Sequence, residues 1–320
     1  MNQPLRMISG LVGAVVIAAI ANLCFGAVNL SLTEIWQGLT SHSEHYFTIH
    51  EYRLPRIFLA ILVGAMLASS GTLIQGVIRN PLASPDILGV SHGAGLAAVA
   101  LMTLFPTVSI YWLPSAALAG GIGAAIILFL VVGSKTKPVK LAITGVALSA
   151  LFGSAIDFLM LTQPLEINNA LLWLTGSLWG RSWDQLWMIL PWWLLAPLVL
   201  WLSHQLNLLT LGDERATSLG VSVYLVRAGA LLLAVMWTSA AVSVCGPLSF
   251  LGLVAPHLAR QMVGGKHQVL LPAAMIVGAF LLLMADLIAR VIHPPLELPA
   301  GIMTAIIGAP YFLYLLVKMR

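Results

Sequence analysis

Runs of about 20 mainly apolar residues recur along the whole of this chain. Sixty per cent of its 320 residues are hydrophobic, only 8% are charged, and the mean hydropathy is +0.98. Soluble domains are about half apolar, and a water-soluble fold of this length has too little interior to bury so much apolar surface. Because a helix of about 20 apolar residues crosses the hydrocarbon core of a bilayer, the runs predict an all-α polytopic membrane protein.

Ten runs are candidate transmembrane helices. The eighth run is short and is interrupted by proline and glycine, so nine spans is the alternative. The first run is longer than the core of a signal peptide, and no small-residue cleavage site follows it, which favours an uncleaved first span. No linker separates the runs, so we expect a single domain over residues 1–320. The predicted spans lie near 7–28, 54–78, 88–105, 113–133, 139–161, 186–204, 225–244, 248–263, 269–291 and 299–318.

The distribution of lysine and arginine predicts the orientation of these spans. With ten spans and a cytoplasmic N-terminus, 11 of the 15 basic residues lie on the cytoplasmic side, as is typical of inner loops. Both termini are then cytoplasmic, and the net charge of +4 reflects topology and does not indicate a nucleic-acid partner. The basic residues left on the outer side are Arg53, Arg56, Arg181 and Arg290.

Sequence motifs for catalysis or metal binding are absent. No phosphate-binding loop of the form G-x-x-x-x-G-K-[ST] occurs, so we expect no ATP hydrolysis and no cofactor bound by this chain. His42, His45 and His50 share one outer segment, but their spacing matches no metal-ligand pattern, and we expect structural or solvated roles. Cys24 and Cys245 are predicted to be small hydrophobic residues of the bundle.

Two acidic residues lie inside predicted spans, where a charge is costly and therefore a candidate for function. Asp286 precedes Arg290 by four residues, so the two share a helix face and can neutralise each other. Asp157 is either the ion-binding acid of a coupled carrier or a structural acid hydrogen-bonded within the bundle.

The second long outer segment is rich in aromatic and polar residues. Asn168 to Leu174 is predicted to form a short helix on the membrane surface. Trp173, Trp179, Trp183 and Trp187 lie in or beside this segment, as in the aromatic belt at a membrane interface.

The segment "LGDERATSLGVS" places three consecutive charged residues, 213–215, between two apolar runs. Asp213 is predicted to cap a short helix, Ala216 and Leu219 to form a small apolar face, and Gly220 to end the helix. So short a helix is unstable alone in water, which favours docking in a groove of another protein. The alternative is a solvated loop with a glycine turn.

Four long segments, 51–95, 211–222, 245–260 and 285–316, resemble the FecCD-type permeases. These permeases are the membrane subunits of type II ABC importers for ferric siderophores, ferric citrate, haem and cobalamin. Within the family, "NPLASPDILGV", "NNALLWLTGSLWGR" and "IHPPLELPAG" most resemble the FecD-type branch, which serves ferric dicitrate.

The resemblance implies a type II ABC importer permease fold of about ten helices in the bacterial inner membrane. It also implies a second homologous permease subunit, two cytoplasmic ATPase subunits that bind ATP and magnesium, and a periplasmic binding protein. An iron chelate would cross by alternating access driven by the ATPases.

The resemblance also assigns roles to three groups of residues. The ATPase-coupling segment, about 212–220, comprises Leu211, Gly212, Asp213, Glu214, Arg215, Ala216, Leu219 and Gly220. The arginines that would dock the binding protein are Arg53, Arg56 and Arg290, and the alternative is that they anchor helix ends at the interface. The cytoplasmic gate between the second and third spans comprises Asn80, Pro81 and Leu82, and the alternative is a simple helix-reversing turn.

Two other classes of function compete with the permease. An ion-coupled secondary transporter would use Asp157 or Asp286 as its coupling acid. A membrane enzyme or scaffold would require a cluster of reactive groups at one depth, and the sequence shows none.

Overall fold

The structure is a computed structural model that describes residues 3–40, 44–133, 138–163 and 167–318, with side chains from residue 6 onward. In these ranges the chain forms α-helices and short helical turns but no strand. The helices are α1 (Gln3–Cys24), α2 (Leu32–Thr40), α3 (Leu54–Ile78), α4 (Val90–Leu104), α5 (Leu113–Val132), α6 (Pro138–Thr162), α7 (Ile167–Leu174), α8 (Trp183–Ile189), α9 (Ala196–Leu209), α10 (Asp213–Ser218), α11 (Val223–Cys245), α12 (Leu251–Val263), α13 (His267–Val291) and α14 (Ala300–Lys318).

Tighter or wider helical turns join some of these helices. A π-helical turn, Thr48–Arg53, leads directly into α3, and a 3-10 turn, Leu190–Leu195, joins α8 to α9. Two further 3-10 turns, Pro85–Leu88 and Ile110–Trp112, precede α4 and α5.

The predicted polytopic helical fold is confirmed. Eight of the predicted spans correspond to helices that are long and apolar enough to cross a membrane. The third corresponds to α4, which has 15 residues, and the eighth to α12, which has 13. At 1.5 Å per residue, these two helices are about 20 Å long and do not cross a core of about 30 Å by themselves.

Helix α3 lies in the middle of the bundle, packed against α11, α12 and α13. Glycines allow this close packing. A Cβ atom on Gly64 would lie 2.4 Å from the carbonyl oxygen of Gly278 in α13, and one on Gly71 would lie 1.7 Å from that of Gly252 in α12. Backbone-to-backbone contact of this kind is how membrane helices pack without large side chains.

The aromatic segment around α7 is only partly the belt that its sequence predicts. The short helix exists, over Ile167–Leu174. Trp179 and Trp187 are exposed, but Trp173 is only 7% exposed and packs into the bundle. Trp183 donates from its indole nitrogen to the carbonyl oxygen of His50, 2.8 Å away. An interface helix can bury its inward face, which a count of tryptophans does not reveal.

Helix α3 separates two clusters of charged residues. Its 25 residues correspond to about 37 Å. Arg56 lies in its first turn, and Arg79 directly follows its last residue. We call the two sides of the bundle the Arg56 end and the Asp213 end, after the residue at the centre of each cluster.

Candidate functional site

At the Asp213 end, α10 is a single short helix between α9 and α11. Gly212 precedes it with φ 103°, and Gly220 follows it with φ 84°, a region that favours glycine. The amide of Gly220 donates to the carbonyl of Thr217 (2.9 Å), and that of Val221 donates to the carbonyl of Ala216 (3.0 Å). This pair of bonds is a Schellman closure. The prediction that Gly220 ends the helix is confirmed.

The predicted capping role of Asp213 is wrong. Gly212 occupies the cap position, and Asp213 is the first residue of the helix. Its Oδ1 accepts hydrogen bonds from Nη2 of Arg79 and from Nη2 of Arg227, the latter at 2.9 Å. Two nearby guanidinium groups attract the carboxylate more strongly than the backbone amides do. Burial favours a higher pKa for the Asp213 carboxyl, but Arg227 and Arg79 outweigh it and lower the pKa below its usual value.

The predicted apolar face of α10 is also wrong. Ala216 is fully buried against its own chain, whereas Leu219 is 59% exposed. Leu211, Glu214 and Arg215 are exposed as well. The helix therefore has an inner side held by Ala216 and the Asp213 ion pairs, and an outer side with apolar and charged groups.

The predicted gate segment is a tight turn between α3 and α4. Oδ1 of Asn80 accepts from the amide of Leu82 (2.9 Å), and the amide of Ala83 donates to the carbonyl of Asn80 (3.1 Å). Arg79 begins the turn in a left-handed conformation, φ 57°, which is uncommon for a residue with a side chain. Because the same arginine binds Asp213, one residue connects the gate turn to α10.

At the Arg56 end, Arg56 forms a two-pronged contact with Asp286 of α13. Its Nε lies 3.0 and 2.9 Å from the two carboxylate oxygens, and its Nη2 lies 2.8 Å from Oδ1. Its Nη1 donates to Oε2 of Glu297 at 2.5 Å. Such forked contacts are among the strongest between charged side chains.

The other two arginines at this end also bond to groups of their own chain. Nε of Arg290 lies 3.3 Å from Oδ2 of Asp286, which confirms the predicted neutralisation, and its Nη2 donates to the side-chain oxygen of Asn22. Arg53 donates to the backbone carbonyls of Leu23 and Val28.

The predicted docking arginines are thus not available at the surface. Arg53, Arg56 and Arg290 are only 4–7% exposed, and each guanidinium group bonds to groups of its own chain. A buried charge requires such partners, and here Asp286 and Glu297 provide carboxylates from the same chain.

In the described ranges, the remaining candidate acids and histidines do not form a reactive site. Asp157 lies on the exposed side of α6, so neither predicted role within the bundle fits it. Nε2 of His45 lies 3.8 Å from Oε1 of Glu34, and the ring of His50 stacks on that of Tyr46. His42 lies outside the described residues. Among the described residues, no group of three metal-ligating side chains occurs.

Both cysteines are unpaired. Cys245 is buried and Cys24 is half-buried, which fits the small hydrophobic residues predicted from the sequence.

Reasoning from the sequence missed Arg79, Arg227, Asn22 and Glu297. Arg79 stood directly before the predicted gate turn, and this position was a usable signal. Arg227 and Asp213 are only 14 residues apart and lie on either side of one tight turn, so their contact could also have been predicted.

Comparisons with known proteins agree with the predicted fold. The FecCD transport family matches residues 14–318. The Fe(3+) dicitrate transport system permease protein FecD of Escherichia coli (strain K12) is 53% identical, with 94% of this chain and 95% of the relative covered. The Fe(3+)-citrate import system permease protein YfmE of Bacillus subtilis (strain 168) is 44% identical, with 98% and 96% covered.

A solved structure gives the same result for the fold. It is an inward-facing conformation of a metal-chelate type ABC transporter, with a TM-score of 0.89, 33% identity, and 98% of this chain and 99% of that chain covered. The predicted permease fold is therefore confirmed. The chain is a multi-pass membrane protein that belongs to the FecCD transport family.

Proposed function

We propose that this chain is the permease subunit of an ABC importer that moves ferric dicitrate from the periplasm to the cytoplasm. The names of its relatives support this cargo, because two of them serve ferric dicitrate and Fe(3+)-citrate. The alternative is a permease for another ferric siderophore, haem or cobalamin.

The double ion pair of Asp213 is the observation that supports coupling to a separate ATPase. It ties α10 to the end of α3 through Arg79 and to α11 through Arg227. The exposed side of α10, with Leu211, Glu214, Arg215 and Leu219, is the surface on which an ATPase subunit would sit. Displacement of that surface would pull on two buried helices at once.

The gate proposal follows from the same contact. Asn80, Pro81 and Leu82 directly follow Arg79, so movement of α10 reaches this turn through a single side chain. Opening of the turn at the cytoplasmic side would release the chelate, while the Arg56 end stays closed.

The proposed assembly contains a second homologous permease subunit, two ATPase subunits and a periplasmic binding protein. Its location is the bacterial inner membrane, with the Asp213 end and both termini in the cytoplasm. ATP and magnesium would bind to the ATPases, and this chain would bind no cofactor. Arg53, Arg56 and Arg290 would act in docking by fixing the loops that the binding protein meets.

The contacts of the intramembrane acids favour this proposal over an ion-coupled carrier. Asp286 is already bound by two arginines, and Asp157 lies on the exposed side of α6. A coupling acid must gain and lose its ion, whereas the carboxylate oxygens of Asp286 are already occupied by the two arginines.

Uptake of radiolabelled ferric citrate by iron-starved cells tests the cargo. We expect uptake to fall to background when the gene is removed, and to return when it is restored. A hydroxamate siderophore, haem and cobalamin are measured in parallel and are expected to enter at unchanged rates. If ferric citrate uptake is unchanged and uptake of one of these other ligands is lost, that ligand and not ferric citrate is the cargo.

A further inference from the structure

A pocket of about 550 Å³ lies at the Arg56 end, where Glu297, the partner of Arg56, forms part of its wall. Its walls are formed by the end of α4, by the loop that leads into α5, by helix α7 and by the segment 177–181. Small-molecule sites have volumes of about 300–1,000 Å³, so this pocket has the size needed for a whole small ligand.

Arg181 lines the pocket and has no counter-ion among the residues that the structure describes. Its Nε is buried without a hydrogen-bond partner in the part of the chain that the structure describes. None of the ion pairs found among the described residues includes Arg181. This distinguishes it from Arg53, Arg56 and Arg290, whose donors are taken by their own chain.

Glu297, the one carboxylate among the described residues of the pocket wall, does not neutralise Arg181. Its Oε2 is bound to Nη1 of Arg56 at 2.5 Å. In the described part of the wall, the positive charge of Arg181 therefore has no carboxylate partner.

Trp173 supplies a second unpaired donor in the same wall. Its side chain is buried, and its indole N–H has no acceptor among the described residues. An indole nitrogen can only donate. A buried guanidinium donor and a buried indole donor, both without acceptors, favour a ligand that is rich in acceptor oxygens.

The segment that carries Arg181 is fixed to the bundle. The amide of Ser177 donates to the carbonyl of Cys245 (2.7 Å), and Leu178 is fully buried. The amide of Arg181 donates to the carbonyl of Leu178, closing a turn with Gly180 at φ 67°. Arg181 is therefore held on an anchored turn, which lowers the entropy lost when a ligand binds.

We propose that this pocket is a binding site for a small polycarboxylate metal chelate, with Arg181 as its main anchor and Trp173 as a second donor. A guanidinium group matches a carboxylate through two parallel hydrogen bonds. The site would receive the anionic cargo at the periplasmic side before it enters the bundle. This inference rests on the proposed function and adds the site and the residues that hold the substrate.

Direct binding to the assembled transporter in lipid nanodiscs, without the binding protein, tests the site. The probe is gallium(III) complexed with ¹⁴C-citrate, measured by equilibrium dialysis. Arg181→Gln is expected to raise the Kd by about tenfold or more, because a charge-assisted contact is lost. Arg181→Lys keeps the charge but loses the forked pair of hydrogen bonds, and is expected to restore only part of the affinity. Trp173→Phe is expected to weaken binding by a smaller factor.

The control variant is Arg6→Gln, which removes one exposed positive charge from α1, away from the pocket, and is expected to leave the Kd unchanged. Equal Kd values for Arg181→Gln and wild type would overturn the proposal. It would also be overturned if Arg181→Gln weakened only the affinity for the binding protein, since Arg181 would then be a docking contact. A wild-type transporter that binds gallium citrate through Arg181 but imports no ferric citrate would support the site and refute the proposed cargo.

Discussion

Replacing Asp213 with alanine is expected to reduce ATP-driven uptake by about tenfold while the permease stays folded in the membrane. Asp213 accepts from Arg79 and Arg227, so the substitution breaks both contacts of α10 with α3 and α11. Partly exposed ion pairs contribute at most about 1 kcal/mol each. Their loss removes little stability, but 1–2 kcal/mol of lost coupling corresponds to about 5–30-fold in rate.

Reconstituted transporter allows uptake and ATP hydrolysis to be measured on the same sample. Asp213→Ala is expected to keep hydrolysing ATP while uptake falls, so the ratio of transported chelate to hydrolysed ATP decreases. Asp213→Glu retains a carboxylate and is expected to recover much of the uptake. Wild-type uptake by Asp213→Ala would show that the ion pairs do not transmit movement.

Replacing Asp286 with alanine is expected to destabilise the protein by about 3–5 kcal/mol, the usual result of removing one partner of a buried ion pair. Arg56 and Arg290 would lose their shared carboxylate, and three buried arginines would face Glu297 alone. Purified variants are compared by unfolding in denaturant or by heating.

Asp157→Asn is the matched control for this prediction. Asp157 is also an acidic residue within an apolar helix, but it lies on the exposed side of α6. Its substitution is expected to change the stability by less than about 0.5 kcal/mol. A double variant, Asp286→Leu with Arg56→Met, is expected to recover part of the loss, because well-packed apolar residues can replace a buried pair. Similar stability of Asp286→Ala and Asp157→Asn would refute the structural role of the cluster.

These two predictions concern the two ends of one helix. Arg56 in the first turn of α3 belongs to the Arg56 cluster, and Arg79 after its last turn belongs to the Asp213 cluster. Because α3 packs by backbone contact through Gly64 and Gly71, it has little room to bend. A rigid helix anchored at both ends is suited to carry movement between the two sides of the membrane.

Local features of the fold were predictable from the sequence. The spans follow from apolar runs, and the end of α10 follows from Gly220, whose positive φ is a property that glycine favours. The contact between Asp286 and Arg290 follows from a spacing of four on a helix.

Contacts between distant residues were not predictable in the same way. Asp213 and Arg79 are 134 residues apart, and Arg56 and Asp286 are 230 apart. Counting charges on each side of the membrane placed four arginines at the outer side but did not reveal that Asp286 contacts both Arg56 and Arg290. A single sequence without pairing information therefore does not predict the buried network that holds these arginines.

The most direct test of the proposed function is the energy source of transport in proteoliposomes. The transporter is reconstituted with its ATPases, ATP is enclosed on their side, and the binding protein with ⁵⁵Fe-citrate is added to the other side. We expect accumulation that requires ATP and continues when ionophores remove proton and sodium gradients. Accumulation that continues without ATP and stops with an ionophore would contradict the account and identify the chain as an ion-coupled carrier.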